Sequence, residues 1–250
     1  MSATEASPFD TLASAYDAWF EEEGKLIFAI ELKTFQQVLP LLPKPWLEVG
    51  VGSGRFGQAL GIETGIDPSV KLLEMARRRG ITGFLARGEE EPFDKETFGT
   101  VFLIVTLCFV DSPLAVLREA HRILKTGGKI VLGLVFRGSP WGRLYEAKKR
   151  EGHRFYKYAT FYSYQEVADF LEHAGFAIEK VLSTLFQRPN EVKEMEAPQE
   201  RFSPDAGFIV VVAGKIPAGS DCGEGRDVEG RAESHGHQLE SEDGRVAGAN

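Results

Sequence analysis

Glu48 stands two residues before Gly50, the first of four glycines (50, 52, 54 and 57) that follow the short apolar run Trp46, Leu47 and Val49. The pattern predicts a buried strand that turns sharply into a helix, with glycine wherever a side chain would block a ligand. Such a turn presents backbone N–H groups and a helix N-terminus to whatever lies beyond the strand end. Two ligand classes use it, dinucleotides and S-adenosylmethionine. Gly52, Gly54 and Gly57 satisfy the dinucleotide spacing G-x-G-x-x-G, which is a weak pattern alone. A dianionic pyrophosphate disfavours a carboxylate beside the loop, whereas an ammonium or a sulfonium favours one, so Glu48 tilts the choice toward the second ligand. Asp67, fifteen residues after Gly52 and at the end of a second apolar run, is placed to chelate ribose hydroxyls in either case. The plainer alternative makes Glu48 a local backbone partner and Asp67 the N-cap of a helix opened by Pro68.

Further segments follow in order. GIDPSVKLLEMAR, VTLCFVDSPLAVLREAHRILKTGGKIVLGL and the opening FDTLASAYDAWF, taken with LEVGVGSGRFG, resemble the motifs of class I S-adenosylmethionine-dependent methyltransferases. The resemblance is to the small-molecule branch that includes ubiquinone and menaquinone methyltransferases, and it spans most of Phe9 to Gly214. It implies a cofactor site at Glu48, Gly50, Gly52, Gly54, Asp67, Pro68, Gly88, Glu89 and Thr106. It also implies that Leu107 to Asp111 border the transferring methyl. Two positions depart from the pattern. Arg87 occupies the place of the acid that meets adenine in the family, leaving the Gly88 backbone N–H, Glu89 or apolar packing for that contact, and Gly99 replaces an aspartate at the start of the fourth strand.

The elements that must position these residues read as a doubly wound Rossmann-like α/β sheet. The resemblance supplies seven strands with an antiparallel last one. Leu12, Ala15, Tyr16 and Trp19 recur at helical spacing, and Phe9 to Leu39 reads as helical up to Pro40. Pro68 to Arg79 reads as a helix stopped by Gly80. Thr100 to Phe109 is a continuous apolar run, as a central strand buried on both faces requires. Ser112-Pro113 opens a helix that Gly127-Gly128 closes. Lys129 to Phe136 is the next strand, and Ser163-x-x-Glu166 is a capping box opening a helix to Ala174. Phe176 to Phe186 and Phe208 to Ala213 read as the last two strands. The expected organisation is an N-terminal helical cap over 1–45, a cofactor-binding domain over 46–216 with a lid insertion at 137–162, and a disordered acidic tail over 217–250.

The lid insertion and the N-terminal helix are the expected walls of an acceptor pocket, with Tyr16, Trp19, Cys108, Phe109, Tyr156, Tyr158 and Tyr162 as candidates. Tyr16, Cys108 and His153 are candidates for a proton-handling group. Two of them have a plainer alternative: packing for Cys108, and a surface or loop position for His153. From Arg143 to Tyr158 there are six Lys and Arg against two Glu. A solvated helix face explains them as well as an RNA contact would.

The chain has 250 residues, 43% of them apolar, and a formal net charge of −8. That suits one domain with a sizeable core and argues against a nucleic-acid partner. Residues 217–250 hold eight Asp and Glu, three Arg and no aromatic residue, too little apolar surface to offset the entropy of ordering. Cys108 and Cys222 make no disulfide framework, His235 and His237 are too few for a metal site, and no run is long enough to cross a bilayer. No metal, a small-molecule methyl acceptor, a cytoplasmic location and S-adenosylmethionine as cofactor are the resulting expectations. A nicotinamide-dependent oxidoreductase and a non-catalytic cofactor- or RNA-binding module are the alternatives. The sequence leaves the acceptor atom and the oligomeric state open.

Overall fold

The computed structural model describes residues 7–217. The expected acidic tail, with Cys222, His235 and His237, lies outside the described residues from 218 onward.

Two helices come first, α1 (Ala13–Trp19) and α2 (Lys25–Gln36). They are not one continuous helix. Gly24 breaks them, and a Cβ there would lie 2.4 Å from the Trp19 ring. Alternation then begins: β1 (Trp46–Val49), α3 (Arg55–Leu60), β2 (Thr64–Asp67), α4 (Val70–Arg78), β3 (Thr82–Leu85), β4 (Phe98–Ile104), α5 (Pro113–Ile123) and β5 (Leu124–Leu134). After α6 (Pro140–Arg150) and α7 (Tyr164–His173) the chain closes with β6 (Phe176–Thr184) and β7 (Phe208–Lys215).

The seven strands form one sheet in the order β3-β2-β1-β4-β5-β7-β6. β1 to β5 pair in parallel, and β7 runs antiparallel between β5 and β6. All seven residues of β4 are buried, because helices cover both sides of the sheet. Val101 and Leu103 pack against α5 and α7, while Phe102 and Ile104 pack against α2 and α3. Ile30 and Phe35 of α2 belong to that second core, so α2 is a layer of the fold rather than a cap upon it. The order of connection reverses between β1 and β4, which opens a crevice beyond their carboxyl ends.

Three boundaries differ from the sequence reading. β4 stops at Ile104 instead of running to Phe109, because Val105 takes a φ of +53° and a 3-10 turn follows at Leu107–Phe109. α5 ends at Ile123 rather than at the glycine pair, since Leu124 already pairs with Phe98 of β4 and the glycines fall in an irregular stretch before Lys129 pairs with Thr100. The helix after β2 is capped by Ser69, whose side chain accepts from Leu72 N–H, and not by Asp67. The Ser112 cap and the Ser163–Glu166 capping box form as the sequence predicts. Among the described residues no helix is long and apolar enough to cross a membrane.

Candidate functional site

The turn after β1 is held by its neighbour strand. Gly50 and Val51 donate to the Ile66 carbonyl at 2.8 and 2.9 Å. Gly50, Gly52 and Gly54 have φ of +74°, +54° and +83°, a region that costs any other L-residue about 1–2 kcal/mol. Two of them also stand close to other chain segments. A Cβ on Gly50 would lie 2.4 Å from Thr106, and one on Gly52 would lie 3.4 Å from the Tyr16 ring. Asp67 closes the far side of the turn, accepting from Gly52 N–H at 2.9 Å and Ser69 N–H at 2.8 Å. Burial pushes its carboxyl up to about 6, against the pull of those two donors.

A cavity of about 360 Å³ opens over this turn, within the range of small-molecule sites. Gly50, Gly52, Asp67, Pro68, Gly88, Glu89 and Thr106 all line it, as does Tyr158 from the lid. Gly54 does not; its Cα packs on Ala76 and Ile81. Glu48 does not either. Alternation along β1 sends Leu47 and Val49 to one face of the sheet and Glu48 to the other, beneath the helix that follows the turn. There it lies near Gly57, fully buried, with Oε2 unpartnered. Burial, then the nearby Asp67 charge, raises its carboxyl well above the usual range. Arg87 reaches across the rim to Asp111, and Glu89 Oε1 accepts from Asp111 N–H at 3.0 Å and Ser112 N–H at 3.3 Å. The carboxylate expected to read a base is thus engaged at the mouth of α5.

A second, more enclosed chamber of about 100 Å³ lies on the other side of Tyr16. Tyr16, Trp19, Cys108, Phe109, Tyr156 and Tyr162 line it, together with Tyr145 and Phe161. The two cavities share Phe9, Tyr16, Val105 and Phe109 as lining, so they adjoin near the end of β4. Tyr158 lines only the first cavity, and His153 lines neither. The Tyr145 and Tyr156 rings stack at 4.3 Å and form one wall. One buried acid, Glu31 of α2, opens into the chamber.

The methyltransferase domain family matches residues 47–132. A Thermotoga maritima protein of solved structure, an S-adenosylmethionine-dependent methyltransferase described as a possible histamine N-methyltransferase, is 38% identical, with a TM-score of 0.77 over 83% of this chain and 98% of that one. An uncharacterized protein of Methanocaldococcus jannaschii is 36% identical over 83% of this chain and 98% of its own. One of Mycobacterium tuberculosis is 39% identical over 80% of this chain and 71% of its own. This chain is a class I S-adenosylmethionine-dependent methyltransferase.

In this methyltransferase the residues present fit the cofactor. The side-chain-free turn leaves room beside Thr106 and Tyr16, and the Asp67 carboxylate and the Gly88 backbone line the same cavity at separate points. The three candidates for proton handling are poorly suited to lose or take one. Burial pushes the Cys108 thiol up to about 12, and its Sγ donates to the Val105 carbonyl at 3.4 Å. Burial, followed by the Asp67 and Glu48 charges, raises the Tyr16 phenol far above its ordinary value. The His153 ring stacks on Tyr156 at 4.8 Å, with Nδ1 accepting from Phe155 N–H. Arg154 and Lys157 of the insertion lie over its own rings, Arg154 over Phe155 at 4.8 Å and Lys157 over Tyr158 at 4.8 Å.

Three features escaped the sequence reading. Val105 is one, and a β-branched residue at positive φ leaves no trace in sequence. The second is the tether made by Asp17, which pairs with Arg55 at 2.8 Å and Arg79 at 2.9 Å and ties α1 to the glycine turn. The third is Glu31. Its signal was present, as an acid on the helix face shared with Ile30, Thr34 and Phe35, all buried.

Proposed function

We propose that this methyltransferase passes the methyl group directly to a small, largely apolar acceptor seated in the aromatic chamber. The observation that carries the reading is that the two cavities adjoin, sharing Tyr16, Val105 and Phe109 as lining. When bound, the cofactor supplies a methyl already activated on a sulfonium, so the work left to the chain is alignment and exclusion of water. Orientation of two reactants can supply on the order of 7–11 kcal/mol of a barrier. In this reading the Gly50–Gly52 backbone and Thr106 hold the amino-acid end of the cofactor. Asp67 holds the ribose, and Gly88 and Glu89 border the adenine. Glu48 supports the turn from behind. Tyr16, Phe9 and Phe109 face the sulfonium, which aromatic faces attract.

The test pairs binding with turnover. S-adenosylhomocysteine should bind the purified chain with micromolar affinity in isothermal titration, and NAD should not bind. Screening small aryl amines, thiols and phenols, with the relative's histamine included, should then yield a methylated product with one S-adenosylhomocysteine formed per methyl. Cofactor binding with turnover only on macromolecules would overturn the small-acceptor reading and leave the donor site standing.

A further inference from the structure

Glu31 projects from the buried face of α2 into a chamber otherwise walled by rings. It is 6% exposed, and it has no hydrogen bond and no ion pair among the described residues. Phenols line the chamber with it, among them Tyr16 from α1, Tyr145 from α6 and Tyr156 from the segment after α6. Among the described residues no Lys, Arg or His lines the chamber. An isolated ionised carboxylate in such surroundings is costly, and native structures pair or hydrogen-bond buried acids. A neutral thiol or phenol in the chamber could donate a hydrogen bond but would leave the charge uncompensated. An ammonium would remove it, because the carboxylate supplies a counter-charge and the surrounding rings supply negative faces.

We propose that Glu31 selects the methyl acceptor, binding a small aryl-alkyl amine as its ammonium and taking the proton that must leave before nitrogen can attack. This rests on the aromatic chamber being the acceptor site. With the amine bound, one N–H proton passes to the Glu31 carboxylate. The freed lone pair attacks the methyl carbon, the N–C bond forms, and the C–S bond breaks with its electron pair left on sulfur as a thioether. The methylated nitrogen leaves as a secondary ammonium. Glu31 returns its proton to solvent, so each turnover releases one proton. Burial alone pushes Glu31 up to about 8, which suits a group that must take a proton near neutrality.

The decisive measurement is isothermal titration of the full chain, loaded with S-adenosylhomocysteine, with 2-phenylethylamine and with its neutral isostere 2-phenylethanol. The amine should bind at least tenfold more tightly. Glu31→Gln should abolish the preference while holding S-adenosylhomocysteine affinity within twofold, and Glu31→Asp, which keeps the charge, should retain part of it. Methylation of the amine should fall at least a hundredfold in Glu31→Gln. Equal binding of amine and alcohol overturns the inference, and so does a preference that survives in Glu31→Gln. Wild-type turnover of 2-phenylethanethiol as fast as that of the amine also overturns it, but leaves the small-acceptor reading intact. Failure of S-adenosylhomocysteine to bind the wild-type chain removes the donor site on which both rest.

Discussion

Asp67 and Glu48 are both buried acids beside the glycine turn, yet only Asp67 reaches the cavity. Asp67→Asn should weaken S-adenosylhomocysteine binding at least tenfold, about 1.4 kcal/mol, because an amide cannot offer two acceptor oxygens to the Gly52 and Ser69 N–H groups and also serve a ligand. Glu48→Gln should leave affinity within threefold, since the group acts from behind the turn. Titration calorimetry on the two variants separates them, and equal losses would mean that the turn transmits Glu48 to the ligand. Gly50→Ala offers a second comparison. It should cost at least tenfold in affinity by driving a Cβ into Thr106, whereas Gly61→Ala, with φ +75° and nothing within 4 Å, should cost only stability. The glycines and Asp67 as a cavity-lining acid were legible in the sequence because a positive φ and a strand-end carboxylate are local requirements. Whether Glu48 faced the ligand was not, for that depends on which face of β1 the turn leaves behind. Alternation with Leu47 and Val49 held the answer, but the nearness of Glu48 to the glycines in sequence outweighed it.

The element that brings Tyr16 to both cavities is α1, seven residues long and too short to be stable alone. Its position comes from Asp17, which binds Arg55 of α3 and Arg79 just after α4, and from Glu21, which also pairs with Arg55. Tyr16, one residue before Asp17, thereby stands over Gly52 between the two cavities. Asp17→Ala should cost about 1–2 kcal/mol and, more tellingly, raise amide exchange across residues 9–20 while β4 stays protected. An unchanged exchange pattern would mean that the aromatic packing of Tyr16 and Phe20 suffices. The arginines hold Asp17 below the usual carboxylate range. Its contribution is therefore present above about pH 3.8 and is lost as pH falls through the folded value. The sequence showed the helix through its apolar spacing and the caps through Ser112, Ser163 and Glu166. It did not show the tether, because Asp17, Arg55 and Arg79 are brought together only by tertiary packing. The ends of β4 and α5 were misjudged for a related reason. Apolar character continued past Ile104 and helix-forming residues past Ile123, while strand pairing set both limits.

For the molecule as a whole, the buried acids determine how stability follows pH. Glu31 and Glu91 are pushed up to about 8, Asp67 to about 6, and Glu48 well above its ordinary value, in each case chiefly by burial. Between the unfolded values, about 4 to 4.5, and these folded values, the native state holds protons that the unfolded chain has lost. Stability therefore falls as pH rises through that window. Asp17 acts at the other end, its stabilisation disappearing as pH falls. His121 and His153, lowered by burial and by neighbouring cations, add stability as pH rises through their titration, but both are partly exposed and oppose four buried acids. The ligand-free protein should accordingly be most stable near about pH 5, with Tm declining steadily to pH 8. Glu31→Gln removes one of the four titrations. Its Tm should match the wild type near pH 4.5 and exceed it at pH 8, a crossover that thermal melts across pH would read directly. A variant no more stable than the wild type at pH 8 would mean that Glu31 ionises at little cost, and that the chamber already compensates its charge without a ligand. The expected gain at pH 8 is the counterpart of selectivity: the folded chain bears in Glu31 a carboxyl that an ammonium in the chamber would neutralise.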